Sequence, residues 1–283
     1  MTTTFEFLKQ FPDDDTCLNH LLKVRFGGTP TCPKCGVVSK FDRIRKEAAY
    51  VCGECGHHIH PMAGTLFERS RTPLQKWFYA MHLFTMTRHG VSAKEIQRQI
   101  GVTYKTAWRI GHEIRKHMAR VDGDPMLGGH VQVDETMVGG KRSGGRRGRG
   151  APGKTVVFGM LERDGDVMTR VVPNDRRATL EPHILTNVEA DSIVSSDELK
   201  SCASLSKHGY LHGSVNHSAE EWVSGIHHTN SIEGFWSMVK HSIRSTHIHA
   251  SLKHLNKYLG EYEFHFNRRS HSETMLDRLL AAF

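Results

Sequence analysis

Residues 228–240 read HTNSIEGFWSMVK, and the second half of the chain is organised around this stretch. Its apolar residues recur at intervals of three and four, which predicts a helix with one buried stripe. Glu233 and Lys240 fall on a separate polar face, where a carboxylate and a cation two turns apart can hold a metal ion and a phosphate. A surface helix that begins with a capping box, Asn230 as the cap and Glu233 three residues later, is the plainer alternative. The stripe consists of Ile232, Phe235, Val239 and Ile243.

The composition of the 283-residue chain limits the classes of protein it can belong to. Hydrophobic residues make up 38% of the chain, and Lys and Arg exceed Asp and Glu by eight, which favours a polyanionic partner. No apolar run approaches the roughly 18 to 20 residues needed to span a bilayer, and the N-terminus lacks the pattern of a signal peptide. We therefore expect a soluble, cytoplasmic protein without a membrane partner.

Four of the six cysteines form two Cys-x-x-Cys pairs separated by sixteen residues. Four thiolates at this spacing bind tetrahedral Zn²⁺, and a closed site of this kind has no open position for chemistry. The pairs therefore predict a structural zinc ribbon over residues 29–62, preceded by a helical segment over residues 1–28. A redox-active pair of dithiols is the alternative. The zinc ligands would be Cys32, Cys35, Cys52 and Cys55.

Residues 63–121 have the pattern of a helix-turn-helix segment. Ser92, followed by a glutamate three residues later, marks the start of one helix, and Gly101 precedes a second, basic helix. The basic residues of that helix are Lys105, Arg109, Arg115, Lys116 and Arg120. The second helix of this motif enters the major groove of DNA, so Lys105 and Arg109 are candidate DNA contacts. An ordinary helical hairpin with a solvated basic face is the alternative.

The sequence changes to a strand pattern beyond residue 128. Gln132 and Asp134 share one face of the first strand, and Asp197 ends the fourth. Three antiparallel strands extended by a parallel one, with helices on the faces, is the layout of ribonuclease-H-like domains and brings Asp134 beside Asp197. We therefore predict a mixed α+β or α/β protein in which residues 128–283 form a ribonuclease-H-like catalytic domain. The strand segments are 130–138, 155–161, 166–172 and 192–197.

A basic, glycine-rich loop over residues 139–154 separates the first two strands. It contains six Lys or Arg residues and seven glycines but no acidic residue, so it can neutralise several phosphates. This composition predicts an arm that contacts nucleic acid, and a disordered basic insertion is the alternative. The candidate DNA contacts in the loop are Arg142, Arg146, Arg147 and Arg149.

Three carboxylates from distant parts of the sequence are candidates for one catalytic site. A strand, a strand end and a helix start could bring Asp134, Asp197 and Glu233 to one point. Carboxylates placed in this way can hold two Mg²⁺ or Mn²⁺ ions, and such a pair of ions supports phosphodiester cleavage and strand transfer. A second interpretation makes Glu135 the functional carboxylate and Asp134 a solvated strand residue.

Several motifs occur in the same order as in a known family. The chain resembles the prokaryotic insertion-sequence transposases of the ISXO type, which carry an N-terminal zinc ribbon. The resemblance implies a DDE-type transposase that binds the terminal inverted repeats in double-stranded DNA, frees 3′-hydroxyls and joins them to target DNA. It also implies a homodimer or larger assembly at the nucleoid. The matching stretches are CPKC at 32–35 with the second pair at 52–55, AGTLF at 63–67, TPLQKW at 72–77, VDET at 133–136, HTNSIEGFWS at 228–237 and EFHFNRR at 263–269.

The identity of the third metal ligand stays open between two residues. Members of the family have either Glu or Asn at this position, followed by Lys, and this chain offers both Asn230 and Glu233. The 35 residues between Asp197 and Glu233, and Lys240 seven residues further on, favour Glu233 and leave Asn230 as a helix cap. Lys240 and Arg244 would then steady a phosphate near the ions.

Two other functions fit parts of the sequence. One is a ribonuclease-H-like nuclease that cuts DNA without joining it. The other is a DNA-binding protein with a zinc ribbon and a helix-turn-helix but no catalysis, such as a domesticated transposase. Three acids amid a basic surface argue against the second, because a protein that only binds DNA has no need of them.

Overall fold

The structure is a computed structural model that describes residues 3–139, 154–197, 205–215, 222–248 and 250–283. The predicted arm over residues 139–154 therefore lies almost entirely outside the described residues. The chain divides into two compact units: residues 1–87, 91–117 and 271–283 form the first, and residues 88–90 and 118–270 form the second. The last thirteen residues, which the sequence assigned to the catalytic domain, thus belong to the first unit.

The described residues form α-helices and two separate β-sheets. The helices are α1 (Thr4–Gln10), α2 (Asp14–Phe26), α3 (Leu74–Met86), α4 (Ala93–Ile100), α5 (Tyr104–Asp122), α6 (Arg177–Asn187), α7 (Asn230–Ser242), α8 (Leu252–Asn267) and α9 (Met275–Ala281). The strands are β1 (Phe41–Ile44), β2 (Ala49–Cys52), β3 (His58–Ile59), β4 (His130–Gly139), β5 (Lys154–Glu162), β6 (Val167–Val172), β7 (Ile193–Ser196) and β8 (Leu211–Ser214). A π-helical turn, Ile243–His247, follows α7 directly.

The first unit contains a small antiparallel sheet in the order β1-β2-β3. The first two strands match the prediction for a zinc ribbon, and Phe41 pairs with Cys52. Gly36 and Gly56 follow the two cysteine pairs with φ angles of 73° and 68°, a conformation that glycine adopts without strain. The third strand was not predicted, because two residues are too few to form a recognisable alternation.

Helices make up the rest of the first unit. Trp77 and Phe78 of α3 are fully buried, as its apolar spacing predicts. Ser92 caps α4 by accepting a hydrogen bond from the Glu95 backbone N–H at 3.1 Å. Gly101 ends α4 in the left-handed conformation, with φ of 62°. The predicted pair of helices joined by a glycine turn is therefore present.

The second unit is built on a five-stranded sheet in the order β6-β5-β4-β7-β8. The first three strands in this order pair antiparallel, and β7 and β8 extend the sheet with parallel pairings. This mixed sheet is the predicted ribonuclease-H-like layout. The sequence did not predict β8, because its four residues, LHGS, do not alternate between apolar and polar.

Helices cover both faces of the large sheet. On one face, Val131 and Val133 pack in a buried cluster with Leu180 and Ile184 of α6. The opposite face is covered by α7 and α8, whose buried residues pack on β5 and β6. Because side chains alternate along a strand, Gln132 and Asp134 belong to the face that α7 covers.

Candidate active site

Strand pairing brings two of the predicted acids together. Asp134 lies in the middle of β4, and its neighbour Val133 pairs in parallel with Ser196, the last residue of β7. Asp197 follows Ser196 directly, so the end of β7 brings Asp197 beside Asp134. Carboxylate oxygens of Asp134, Glu135 and Asp197 all lie within 4.8 Å of one another. We call these three residues the acid cluster.

The acid cluster has the chemistry of a divalent-cation site. Burial, and then the charges of Asp197 and Glu233, raise the pKa of Asp134 to about 7. The charge of Lys240 opposes this shift but does not cancel it. Carboxylate oxygens are the ligands that hard cations such as Mg²⁺ and Mn²⁺ prefer, and a bound divalent ion would compensate this repulsion. The residues present therefore fit such an ion.

A glycine in β5, Gly159, allows α7 to lie close to the sheet. Gly159 pairs with Asp134 across β4 and β5, and a Cβ atom at Gly159 would lie 2.4 Å from Trp236 Cζ2. It would also lie 3.1 Å from Ile232 Cδ1. Both of these α7 side chains are buried against the sheet. The helix therefore crosses the sheet at the level of Asp134 because residue 159 is a glycine.

Gln132 joins the same helix to β4 through hydrogen bonds. Its Oε1 accepts from the backbone N–H groups of Ser231 at 3.0 Å and Ile232 at 3.1 Å. Its Nε2 donates to the Ser231 hydroxyl at 3.3 Å. Gln132 is fully buried. The sequence placed it correctly on the face of Asp134, but the alternation pattern does not distinguish a buried, bonded glutamine from a solvated one.

The two candidates for the third ligand lie in different surroundings. Glu233 is partly buried, and its charge reaches Asp134 strongly enough to raise the pKa of that carboxyl. In the part of the chain that the structure describes, Glu233 is not a member of the 4.8 Å acid cluster. Asn230 is exposed and lines a surface groove with Leu161 and Phe266 that includes no residue of the acid cluster.

The predicted cap of α7 is wrong. The helix begins at Asn230, and Thr229 occupies the N-cap position. The Thr229 hydroxyl donates to Glu233 Oε1 at 2.7 Å. A capping box at Asn230 would require the helix to begin at residue 231, whereas it begins one residue earlier. The polar contacts of the first turn therefore involve Thr229 and Gln132.

Basic side chains lie beside the acid cluster. Lys154, Lys240 and Arg244 line one pocket together with Glu135 and neighbouring β4 residues. Burial lowers the pKa of Lys240, and the charge of Asp134 opposes that shift. Arg244 is exposed on the π-helical turn, a geometry that is frequent at functional sites. This pocket offers positive charge next to the acids, as the polar face of α7 predicted.

Histidines cover the strand next to the acid cluster. The Ser195 hydroxyl lies 2.6 Å from His130 Nε2 and 2.8 Å from His227 Nδ1. A Cβ atom at Gly213 of β8 would lie 2.3 Å from the His227 ring, so this coverage also needs a glycine. Burial lowers the pKa of His130 to about 4, which keeps it neutral near pH 7. The contact with the Ser195 hydroxyl therefore holds His130 there without adding positive charge.

The candidate DNA contacts in the first unit are accessible. Lys105 and Arg109 are exposed on α5. Arg115, which the sequence also placed on the basic face, is instead buried and donates to the Val91 carbonyl at 2.7 Å. Its role is therefore structural. The remaining candidates lie outside the described residues; they are Arg142, Arg146, Arg147 and Arg149.

The four predicted zinc ligands come together in the small sheet. Their sulfur atoms all lie within 4.8 Å of one another. The Ser39 hydroxyl, 3.1 Å from Cys52 Sγ, lowers the pKa of this thiol to about 6 and so favours the thiolate that Zn²⁺ binds. Four soft sulfur donors in one group fit a tetrahedral Zn²⁺ ion. The residues that would hold the ion are Cys32, Cys35, Cys52 and Cys55.

Among the helices that the structure describes, none is both long and apolar enough to cross a bilayer.

Comparison with known families gives two matches. The family of the transposase zinc-ribbon domain matches residues 12–58, and the family of the ISXO2-like transposase domain matches residues 126–267. The chain is 28% identical over 278 residues to an uncharacterized protein in transposable element ISH50 of Halobacterium salinarum, with 90% of this chain and 92% of that protein covered. A transposase-like protein of Haemophilus influenzae is 35% identical over 101 residues, which cover 36% of this chain and 80% of that protein.

Solved structures of low similarity were also found. The Mos1 strand transfer complex matches with a TM-score of 0.33 and 12% identity, covering 71% of this chain and 75% of that chain. A pre-cleavage Mos1 transpososome matches with a TM-score of 0.31 and 11% identity, covering 71% of this chain and 76% of that chain.

Proposed function

We propose that this chain, which belongs to the ISXO2-like transposase family and is a DNA transposase, binds the terminal inverted repeats of an insertion sequence and joins their 3′ ends to target DNA. The observation that carries the proposal is the meeting of Asp134 and Asp197 where β7 ends beside β4, under a helix that carries Glu233. A site that cleaves and joins phosphodiesters needs clustered oxygen ligands and nearby positive charge, and this part of the sheet offers both.

The catalytic ligands in this proposal are Asp134, Asp197 and Glu233, with Mg²⁺ or Mn²⁺ as the ion. When bound, the divalent ions supply Lewis-acid activation of the attacking oxygen and stabilisation of the leaving oxygen. The effect of Glu233 on the pKa of Asp134 supports Glu233 as the third ligand. The exposure of Asn230 in a separate groove argues against Asn230. Glu135 is close enough to serve as an additional oxygen ligand.

The basic pocket orients the DNA backbone at this site. Lys240 lies two turns after Glu233, and Arg244 lies in the π-helical turn that follows. Both can bind a phosphate on the α7 side of the acid cluster. Lys154, at the start of β5, adds a third cation from the sheet. Point charges of this kind hold the scissile phosphate against the carboxylates without taking part in bond making.

The first unit supplies binding to specific DNA. A structural Zn²⁺ on the four cysteines holds the ribbon, and α5 presents Lys105 and Arg109 to the major groove. The arm over residues 139–154 adds sequence-independent phosphate contacts. Because two ends of an element must be held together for joining, we infer a homodimer or larger assembly on DNA.

A joining assay tests the proposal. Pre-cleaved inverted-repeat ends and Mg²⁺ should give joined products with the full-length protein, whereas a nuclease would cut the DNA and join nothing. Asp134→Asn and Asp197→Asn should each reduce joining by on the order of 10³-fold or more, because each removes a charged ligand from the site. Both variants should bind the inverted repeats as the unaltered protein does. Joining retained in either variant would exclude the acid cluster as the catalytic site.

A further inference from the structure

The first turn of α7 is held by a side chain that comes from the sheet. Gln132 lies two residues before Asp134, on the same face of β4. The amide oxygen of Gln132 accepts hydrogen bonds from two successive backbone N–H groups, those of Ser231 and Ile232. The first four N–H groups of any α-helix have no partner within the helix. Gln132 therefore does for α7 what a capping residue of the helix itself usually does.

This bond fixes where α7 begins relative to Asp134. Two residues of a strand span about 7 Å, so the attachment point is near the acid cluster. Glu233 follows Ile232 directly and lies on the first turn, which cannot shift while both N–H groups remain bonded to Gln132. Trp236, one turn later, is seated against Gly159. Two attachments one turn apart fix both the rotation of the helix and its position along its axis.

We propose that Gln132 is a positioning residue that sets the placement of Glu233 relative to Asp134 and thereby the affinity of the site for a divalent ion. The inference rests on the proposed function, in which Glu233 is a metal ligand. A hydrogen-bonding residue suits this task better than an apolar one, because two bonds of about 3.0 Å define a direction as well as a distance.

A second amide in the same unit offers a matched control. Asn267, at the end of α8, accepts a hydrogen bond from the Val167 N–H of β6 at 2.7 Å and donates to the Val167 carbonyl at 3.0 Å. It thus joins a helix to the sheet through backbone bonds, as Gln132 does. Replacing either amide with an apolar residue should lower stability, but only Gln132 is attached to the helix that carries Glu233.

The experiment is a titration of the zinc-loaded, full-length protein with Mn²⁺ in the absence of DNA, followed by calorimetry or by the electron spin resonance of free Mn²⁺. Gln132→Met should weaken Mn²⁺ binding about tenfold or more, while Asn267→Leu should lower the thermal midpoint and leave Mn²⁺ binding unchanged. Gln132→Asn keeps an amide but is one methylene shorter, so it should also weaken Mn²⁺ binding. It replaces Gln132→Met in the titration if the Met variant does not fold. Binding to inverted-repeat DNA in Ca²⁺ should be unchanged in all three.

A double-mutant cycle shows whether Gln132 acts through Glu233. If it does, Gln132→Met should have little further effect on Mn²⁺ binding in a Glu233→Gln background. An equal loss in both backgrounds, or unaltered Mn²⁺ binding by Gln132→Met and Gln132→Asn, would overturn the inference while leaving the proposed function standing. If Asp134→Asn itself leaves Mn²⁺ binding unchanged, the acid cluster is not the metal site, and the proposed function and the inference both fail.

Discussion

The zinc ribbon and the acid cluster are both sites built from converging ligands, but they are assembled differently. The four cysteines lie within 24 residues, and their pairs are held by tight turns at Gly36 and Gly56. Asp197 of the acid cluster is more than 60 positions from Asp134 and Glu135 in the sequence, and the β4–β7 pairing brings them together. The spacing of residues in the sequence predicts a local site. A long-range site depends instead on strand register and on the packing of helices on the sheet.

Removal of zinc should produce the largest effect and should affect only one of the two sites. Structural zinc contributes on the order of 10 kcal/mol to small domains, so chelation or Cys32→Ser should unfold the ribbon and weaken binding to inverted-repeat DNA at least ~10-fold. Zinc content and a DNA-binding titration measure the change. Cys17→Ser, in a buried cysteine outside the pairs, is the matched control and should keep its zinc.

Mn²⁺ binding by the acid cluster should survive the loss of zinc. This result would show that the local site and the long-range site are independent. If chelation of zinc also removed Mn²⁺ binding by the carboxylates, the separation of the two sites would be wrong. If Cys32→Ser left DNA binding unaltered, the ribbon would have no role in binding the inverted repeats.

Gly159→Ala should disturb the acid cluster through packing alone. The new methyl group would meet the Trp236 ring at 2.4 Å, so α7 must move away from the sheet. Overpacking of this kind costs about 1 to 3 kcal/mol, and we expect joining to fall about tenfold while zinc content stays the same. Denaturant unfolding and the joining assay measure the two effects.

Gly234→Ala is the matched control on α7 itself. Gly234 is exposed, and a Cβ atom there meets nothing within 4 Å. Alanine should therefore stabilise the helix by about 0.5 to 1 kcal/mol and leave joining unchanged. Equal effects of the two substitutions would mean that close approach of α7 to the sheet does not matter for the site.

Glu263 allows a structural carboxylate to be compared with the acid cluster. This α8 residue accepts hydrogen bonds from the Thr169 N–H at 2.8 Å and from the Thr169 hydroxyl, and burial raises its pKa to about 7. Between the unfolded pKa near 4.5 and pH 7, the folded state holds a proton that the unfolded state has released. The free energy of unfolding should therefore decrease as the pH rises through this window.

Glu263→Gln should remove this pH dependence, because an amide oxygen can accept the same hydrogen bonds without titrating. We expect the variant to be more stable than the unaltered protein at pH 7 by about 1 to 2 kcal/mol, with no change in Mn²⁺ binding. Urea unfolding at pH 5 and pH 7.5 measures the difference. A loss of Mn²⁺ binding in this variant would mean that Glu263 is not a purely structural carboxylate.

Most of the architecture could be predicted from local patterns. The cysteine pairs predicted the ribbon, and alternation predicted β4, β5 and β6. The spacing of Ile232 and Phe235 predicted α7 and its buried stripe. The meeting of Asp134 and Asp197 followed from topology, because the predicted layout places the end of β7 beside the middle of β4. In each case the information lies within a segment or in the order of segments.

The residues that were missed depend on tertiary contacts. Arg115 has the sequence context of a solvated basic residue, but it packs over Phe84 and bonds to a carbonyl. Gln132 is one polar residue among several on β4, and only the position of α7 gives it a role. The cap of α7 was misassigned for the same reason, since a distant side chain took over part of the capping.

The pairing of Gly139 with Lys154 allows the loop between them to vary independently of the acid cluster. These residues form the last rung of the β4–β5 ladder, so the intervening loop enters and leaves the sheet at adjacent points. Loops of other lengths or charges could be grafted onto this rung without altering the register that holds Asp134 opposite Gly159. The segment between these two residues can therefore be exchanged as a module while the acid cluster stays in place.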